Sequence, residues 1–217
     1  MERGTFSEAT PVRFNDALPE AVDVVVIGGG IAGVATAWFL ARRGQSVLAA
    51  EKGRVAGEQS SRNWGWVRQQ GRDRAELPIM MESNRIWRAL LEETGEADLS
   101  FTQSANVKLA ESEATLAGYE AWRELSLQYQ LETNILSAAE VAGRFPDVKG
   151  AFVGGMVTPS DGRAEPWLAV PALARAAQKQ GAAVIENCAV RTLDLAGGRI
   201  TGVITEKGRV ACEQVVL

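Results

Sequence analysis

At 217 residues, with 46% hydrophobic and 23% charged side chains, the chain has the makeup of a folded globular protein, not of a disordered, collagenous or disulfide-rich one. A net charge of -4 offers no basic surface for nucleic acid, and Cys188 and Cys212 stand far from any C-x-x-C spacing, so neither a metal site nor a disulfide framework is indicated and a reducing cytoplasm is expected. The complete absence of histidine removes Ser-His-Asp and Cys-His catalysis and most zinc sites, so no catalytic side chain is assigned and the chemistry is expected from a cofactor.

Met1 to Glu20 contains Pro11 and Pro19, lacks periodicity and reads as a surface tail that need not be ordered. The stretch that organises the rest follows, from Asp23 to Glu51. Val24 to Ile27 is a continuous apolar run rich in β-branched residues, as in a parallel strand covered on both faces. Gly28, Gly30 and Gly33 then fall in G-x-G-x-x-G order, where they serve a tight turn, an open path for pyrophosphate and close helix-to-strand packing. Ile31 to Arg43 is predicted helical, with its first amides aimed at phosphate and Gly44 placed to stop it. Ser46 to Ala50 supplies a second strand ending on Glu51, whose carboxylate can accept from both ribose hydroxyls of an adenosine and would repel a 2′-phosphate. Strand, turn, helix, strand and acid together mark a dinucleotide site. A membrane span over Val24 to Ala41 is the competing reading, but four glycines in one helix would cost about 4 kcal/mol relative to alanine.

After Glu51 comes a glycine-rich, polar loop that carries two tryptophans and several arginines. Ser60 and Ser61 offer hydroxyls to phosphate, and Arg62 and Asn63 offer donors to a pyrophosphate or ring carbonyl. Trp64 and Trp66 either join that pocket or fill the core. Leu77 to Thr94 reads as a helix with Ile79, Met80, Ile86, Leu90 and Leu91 on its apolar side, stopped by Gly95. Phe101 to Ala110 is predicted as one strand. Glu111 to Gln130 is predicted helical, with an aromatic stripe of Tyr119, Trp122 and Tyr129 that belongs to the core. Ser137 is a candidate N-cap for a short helix ended before Pro146. Ala151 to Thr158 is strand-like, and Pro159 to Gly162 is a turn. Trp167 to Gln180 forms a small-residue helix, followed by strands at Ala183 to Ile185, Val190 to Leu195, Ile200 to Thr205 and Arg209 to Leu217.

Four stretches carry a resemblance: VVVIGGGIAGVATAWFLARRGQSVLAAEK, the SSRNWGW loop, MVTPSDGRAEP, and the closing RITGVITEKGRVACEQVVL. In these the chain, from Ala21 to Leu217, resembles the FAD-dependent amine and amino-acid oxidoreductases of the D-amino-acid oxidase type, in particular the bacterial branch of sarcosine, glycine and opine-type oxidases. The resemblance implies an α/β protein: a Rossmann-like FAD-binding domain with an α+β substrate domain. The implied division is a tail over 1–20, FAD-binding segments over 21–76 and 164–217, and a substrate segment over 77–163. In the family the last strand, Glu213 to Leu217, runs into a second glycine turn, so the chain is expected to be the front portion of a longer protein, or one piece of a cleaved or split one, incomplete at its C-terminus. Gly28, Gly30, Ile31, Gly33, Glu51, Lys52, the Ser60 to Trp66 loop with Gly65, and the Val190 backbone are implied to hold FAD. Arg68 is the candidate guanidinium for a substrate carboxylate, with Arg72 second. The implied reaction is oxidation of the C–N bond of a small amino acid or amine. An NAD-linked dehydrogenase and a non-catalytic flavin-binding subunit are the alternatives, and a homo- or hetero-oligomer is left open. A transmembrane segment is not expected.

Overall fold

The computed structural model describes residues 9–96 and 99–217. The elements in chain order are β1 (Val24–Ile27), α1 (Ile31–Ala41), β2 (Val47–Ala50), a 3-10 turn at Gln59–Ser61, β3 (Trp66–Val67) and α2 (Leu77–Thr94). Then come β4 (Phe101–Thr102), β5 (Asn106–Ala110), α3 (Glu113–Gln128), β6 (Asn134–Ser137), α4 (Ala138–Arg144), β7 (Gly154–Thr158) and β8 (Gly162–Ala164). The chain closes with α5 (Pro166–Lys179), β9 (Ala183–Ile185), β10 (Val190–Ala196), β11 (Arg199–Thr205), β12 (Gly208–Ala211) and β13 (Gln214–Val216). These fall into two compact units. Unit 1 takes residues 9–64, the described residues of 91–100, and Glu165–Leu217; unit 2 takes Gly65–Leu90 and Phe101–Ala164.

Unit 1 is built on a parallel sheet of order β13-β1-β2-β9. Its middle strands, VVVI and VLAA, are apolar at every position because a parallel sheet is covered on both faces. On one side α1 packs against α5, and alanines at the contact let the two helices approach closely. The antiparallel meander β10-β11-β12 adds Val203 and Val210 to a buried cluster with Val25, Leu48, Ala50, Ile185 and both cysteines. Cys188 and Cys212 are free thiols.

The segment expected to be a loose tail is anchored from Arg13 onward; residues 1–8 lie outside the described residues. Phe14 is buried and its carbonyl accepts from Glu186 N at 2.8 Å, while Asp16 Oδ2 accepts from Val184 N and Gln178 Nε2, each at 2.8 Å. The reason is that β9 is the edge of its sheet, and its unpaired backbone groups need partners. Proline content signalled the lack of regular structure but not this docking.

Unit 2 contains two small antiparallel sheets, β3-β8-β4 and β5-β7-β6. The single strand predicted over Phe101 to Ala110 is broken: Ala105 takes a φ of 62°, and the two halves join different sheets. β6 and β8 are too short and too irregular to be read from alternation, and cross-strand pairing creates them. The predicted cap at Ser137 is a full capping box, with Ser137 N donating to Glu140 Oε2 at 2.8 Å and Glu140 N to Ser137 Oγ at 3.3 Å. α2 buries part of its predicted apolar side. Leu90 is buried and Met80 and Ile86 are half-buried, whereas Ile79 and Leu91 are exposed; Leu77, Asn84 and Thr94 are buried as well, with Asn84 Nδ2 3.5 Å from the buried carboxylate of Asp161. The α3 stripe is structural, as expected: Trp122 Nε1 donates to Arg72 O at 3.0 Å and Tyr119 OH to Leu109 O at 3.3 Å. No helix among the described residues is long and apolar enough to cross a membrane.

Candidate cofactor site

The glycine turn between β1 and α1 is shaped by sterics at Gly28 and Gly33. Gly28 has a φ of 112°, which a side chain rarely tolerates. A methyl on Gly33 would stand 2.0 Å from Gly28 O, so only glycine lets the helix come down on the turn. Gly30 is the N-cap of α1 and supplies no side-chain bond, and Ile31 and Ala32 of the first turn are exposed. Free amides and the positive end of the dipole thus meet solvent where a diphosphate is recognised. Ser60 reaches the same place from its 3-10 turn: its oxygen accepts from Ile31 N at 2.8 Å, which leaves its own proton free for an acceptor outside.

Glu51 ends β2 with a buried carboxylate held by two backbone donors, Gly29 N on Oε2 and Gly53 N on Oε1, both at 2.6 Å. A carboxylate has about four acceptor positions, so two remain for ribose hydroxyls. Glu51 also lines a cavity of about 590 Å³ together with Lys52, Gly53, Arg54, Gly57, Glu58, Arg62, Asn187, Ala189, Arg191 and Glu206. The glycines a side chain would block, the open helix end and this carboxylate-lined cavity fit a dinucleotide.

The other predicted residues divide. Lys52 and Arg62 line the cavity and both reach Glu58, at 3.7 and 3.4 Å. Ser61 and Asn63 are turned inward on their own loop, Ser61 Oγ to Glu58 O at 3.2 Å and Asn63 Nδ2 to Ser60 O at 2.9 Å. Trp64 is 81% exposed, so it is not a core residue. Val190 pairs with Thr205 and packs on the buried cluster, and its neighbours Ala189 and Arg191 line the cavity. Sequence reasoning missed Arg54, Asn187, Arg191 and Glu206. Arg54 Nη1 donates to Asn187 Oδ1 at 2.5 Å, and Arg191 of β10 pairs with Glu206, the residue just past β11. The one available signal was that Arg191 follows Val190.

Gly65, Trp66, Arg68 and Arg72 belong to unit 2. Gly65 has a φ of 69° and its carbonyl accepts from Ala164 N at 2.8 Å. Trp66 is half exposed, with the Arg68 guanidinium 5.2 Å from its ring centre. Arg68 Nη1 also donates to Gln70 O at 2.7 Å; Arg72 meets Glu76 at 3.6 Å. Burial, followed by the proximity of Arg72, holds the Arg68 guanidinium below its ordinary pKa. Asp161, in the predicted turn, is fully buried and accepts from the amides of Gln69 and Gln70 at 2.8 and 3.0 Å, which fixes the course of the chain around Arg68.

A βαβ unit with a glycine turn, an open helix N-terminus and a terminal carboxylate defines a dinucleotide-binding protein. The sequence over residues 23–217 matches the DAO family, FAD dependent oxidoreductase, and the chain belongs to that family. Its cofactor is therefore FAD. Among its relatives, human mitochondrial sarcosine dehydrogenase is 31% identical over 206 residues, which cover 92% of this chain and 22% of that protein. The mitochondrial pyruvate dehydrogenase phosphatase regulatory subunit of Mus musculus is 27% identical over 212 residues, 97% of this chain and 24% of its own length. Among solved structures, the L-amino acid deaminase of Proteus myxofaciens, in complex with anthranilate, superposes with a TM-score of 0.89 at 33% identity, over 96% of this chain and 48% of its own. The chain thus spans about a quarter of the two mitochondrial relatives and about half of the deaminase.

Proposed function

We propose that the protein oxidises the C–N bond of an amino acid or secondary amine. FAD, when bound, accepts a hydride from the carbon next to the nitrogen, and the imine product is hydrolysed by water. Residues of this chain bind and orient. The amides of Gly30 and Ala32 receive the diphosphate, with the Ser60 hydroxyl, which accepts from Ile31 N, beside them; Glu51 takes the ribose; Lys52, Arg62 and the Val190 backbone border the adenosine end. Arg68 and Arg72 attract a carboxylate-bearing substrate. The absence of histidine fits a reaction in which the amine is bound neutral and needs no dedicated base.

The observation that carries this reading is the Glu51 carboxylate, which is fixed by two amides, one of them from the glycine turn, and lines a cavity, within a family of FAD-dependent oxidoreductases. That family membership displaces the NAD-linked alternative. A second reading, a non-catalytic flavin-binding subunit within an assembly, is favoured by the resemblance to a relative named as a regulatory subunit. Two buried free thiols support a reducing compartment such as the cytoplasm.

The test uses full-length protein. A yellow preparation that releases FAD on denaturation, and whose visible absorbance bleaches without oxygen when amino acids or N-alkyl amino acids are added, supports the enzyme. A yellow protein that no member of the panel bleaches supports the subunit reading. A colourless protein that releases no adenine nucleotide overturns both.

A further inference from the structure

Unit 2 holds a cluster of cations whose charge is not fully answered. In β5, Val107 and Leu109 pack on the cluster of Leu136, Val141 and Val157, so the alternation of the strand puts Asn106 and Lys108 on its other face. That face is polar: Thr158 stands opposite Asn106, and fully buried Gln70 lies on it, donating from Nε2 to Asn106 O at 3.0 Å and Thr158 Oγ1 at 3.1 Å. Next to Gln70, Gly71 has a φ of 70°. A methyl placed there would fall 2.6 Å from Lys108 Nζ and 3.7 Å from Arg68 Nη1, so these two cationic nitrogens lie close to one point. A side chain there would push Lys108 Nζ aside, so glycine lets the ammonium lie against this turn.

The three cations are not equally committed. Arg68 donates to Gln70 O and lies over Trp66; Arg72 pairs with Glu76, although its Nε is buried without a partner. Asp161, the other carboxylate near Arg68, is filled by the amides of Gln69 and Gln70 and by Gln69 Nε2 at 3.1 Å. Lys108 alone of the three has no hydrogen-bond or carboxylate partner among the described residues. Three cations against Glu76 and Asp161 leave an excess of one positive charge, which is the charge of a single carboxylate. Burial and then Arg68 depress the Lys108 ammonium pKa, a cost that an added anion offsets.

We propose that Lys108 makes the direct contact to the substrate's carboxylate, with Arg68 and Arg72 keeping the surrounding potential positive rather than forming the primary fork. The identity of this anion as substrate rests on the reading given under Proposed function; the anion site itself rests on unit 2 alone.

Calorimetric titration of the full-length protein with benzoate, and with benzamide as the uncharged control, tests it in wild type, Lys108→Met and Lys108→Arg. Wild type is expected to prefer benzoate. Lys108→Met should bind benzoate about tenfold or more weakly with benzamide unchanged, and Lys108→Arg should restore the preference. In turnover, Lys108→Met should raise KM for carboxylate-bearing substrates more than it lowers kcat. Equal benzoate affinity in wild type and Lys108→Met, or no preference for benzoate in wild type, overturns the proposal. If the methionine variant does not fold, Lys108→Gln is read in its place by the same criteria. Flavin content is measured separately, so a protein without FAD that still prefers benzoate through Lys108 refutes the oxidoreductase reading and leaves the anion site standing.

Discussion

Glu51 shows how much one side chain's environment decides. Its two oxygens each receive a backbone N–H at 2.6 Å, so the carboxylate is locked in orientation before any ribose arrives. Glu51→Gln tests this, because a side-chain amide has only one acceptor oxygen. Its NH₂ would face either Gly29 N or Gly53 N, donor against donor, at a cost of about 1–3 kcal/mol. FAD is expected to bind at least tenfold more weakly, read by equilibrium dialysis of the refolded apoprotein; unchanged retention would remove Glu51 from the site. That an acid stood here was legible, since it lies about 20 residues past the glycines, as the motif requires. That Gly53 N shares the work was not legible, because it depends on the fold of a loop with no periodic pattern.

Among the elements, the chain just past the end of α2 is tied to α5 by one acid. Glu96 Oε2 accepts from Arg175 Nε at 2.9 Å, and Oε1 meets Lys179 Nζ at 2.6 Å. Burial pushes the Glu96 carboxyl up, but the bonds from Lys179 and Arg175 outweigh it, and the net shift is downward from 4.5. A depressed carboxylate pKa contributes stability that is present above the unfolded value and lost as pH falls through the folded one. Glu96→Gln is therefore expected to cost about 1 kcal/mol at pH 7, and the gap between it and wild type should close below pH 4.5, as followed by urea unfolding at a series of pH values. A gap independent of pH would assign Glu96 a packing role instead. Elements also show where the sequence misleads. Ala105 and the pairing of β5 with β7 divide a run that looked continuous, and α2 buries polar Asn84 beside the Asp161 carboxylate while Ile79 and Leu91 of its predicted apolar side stay exposed.

For the whole molecule, a ligand that binds only the folded state stabilises it by mass action, about 2.7 kcal/mol at one hundred times its Kd. Added FAD is expected to raise the unfolding midpoint of the full-length apoprotein, whereas NAD at equal concentration should not; thermal scans at stepped FAD concentrations check both. A midpoint insensitive to FAD would count against the glycine turn as its site. The dinucleotide site was readable from sequence because its parts are contiguous: β1, the glycines, α1, β2 and Glu51 follow one another within a single βαβ unit, and local sterics dictate them. Other features were decided only in three dimensions. Arg191, Glu206 and Asn187 reach the cavity through the register of strands distant in sequence, Phe14 is buried because an edge strand needs a partner, and Lys108 meets Arg68 only because β5 lies beside the turn at Gly71. Contacts of that kind follow from which backbone groups remain unpaired after local structure has formed, and no short stretch of sequence contains that information.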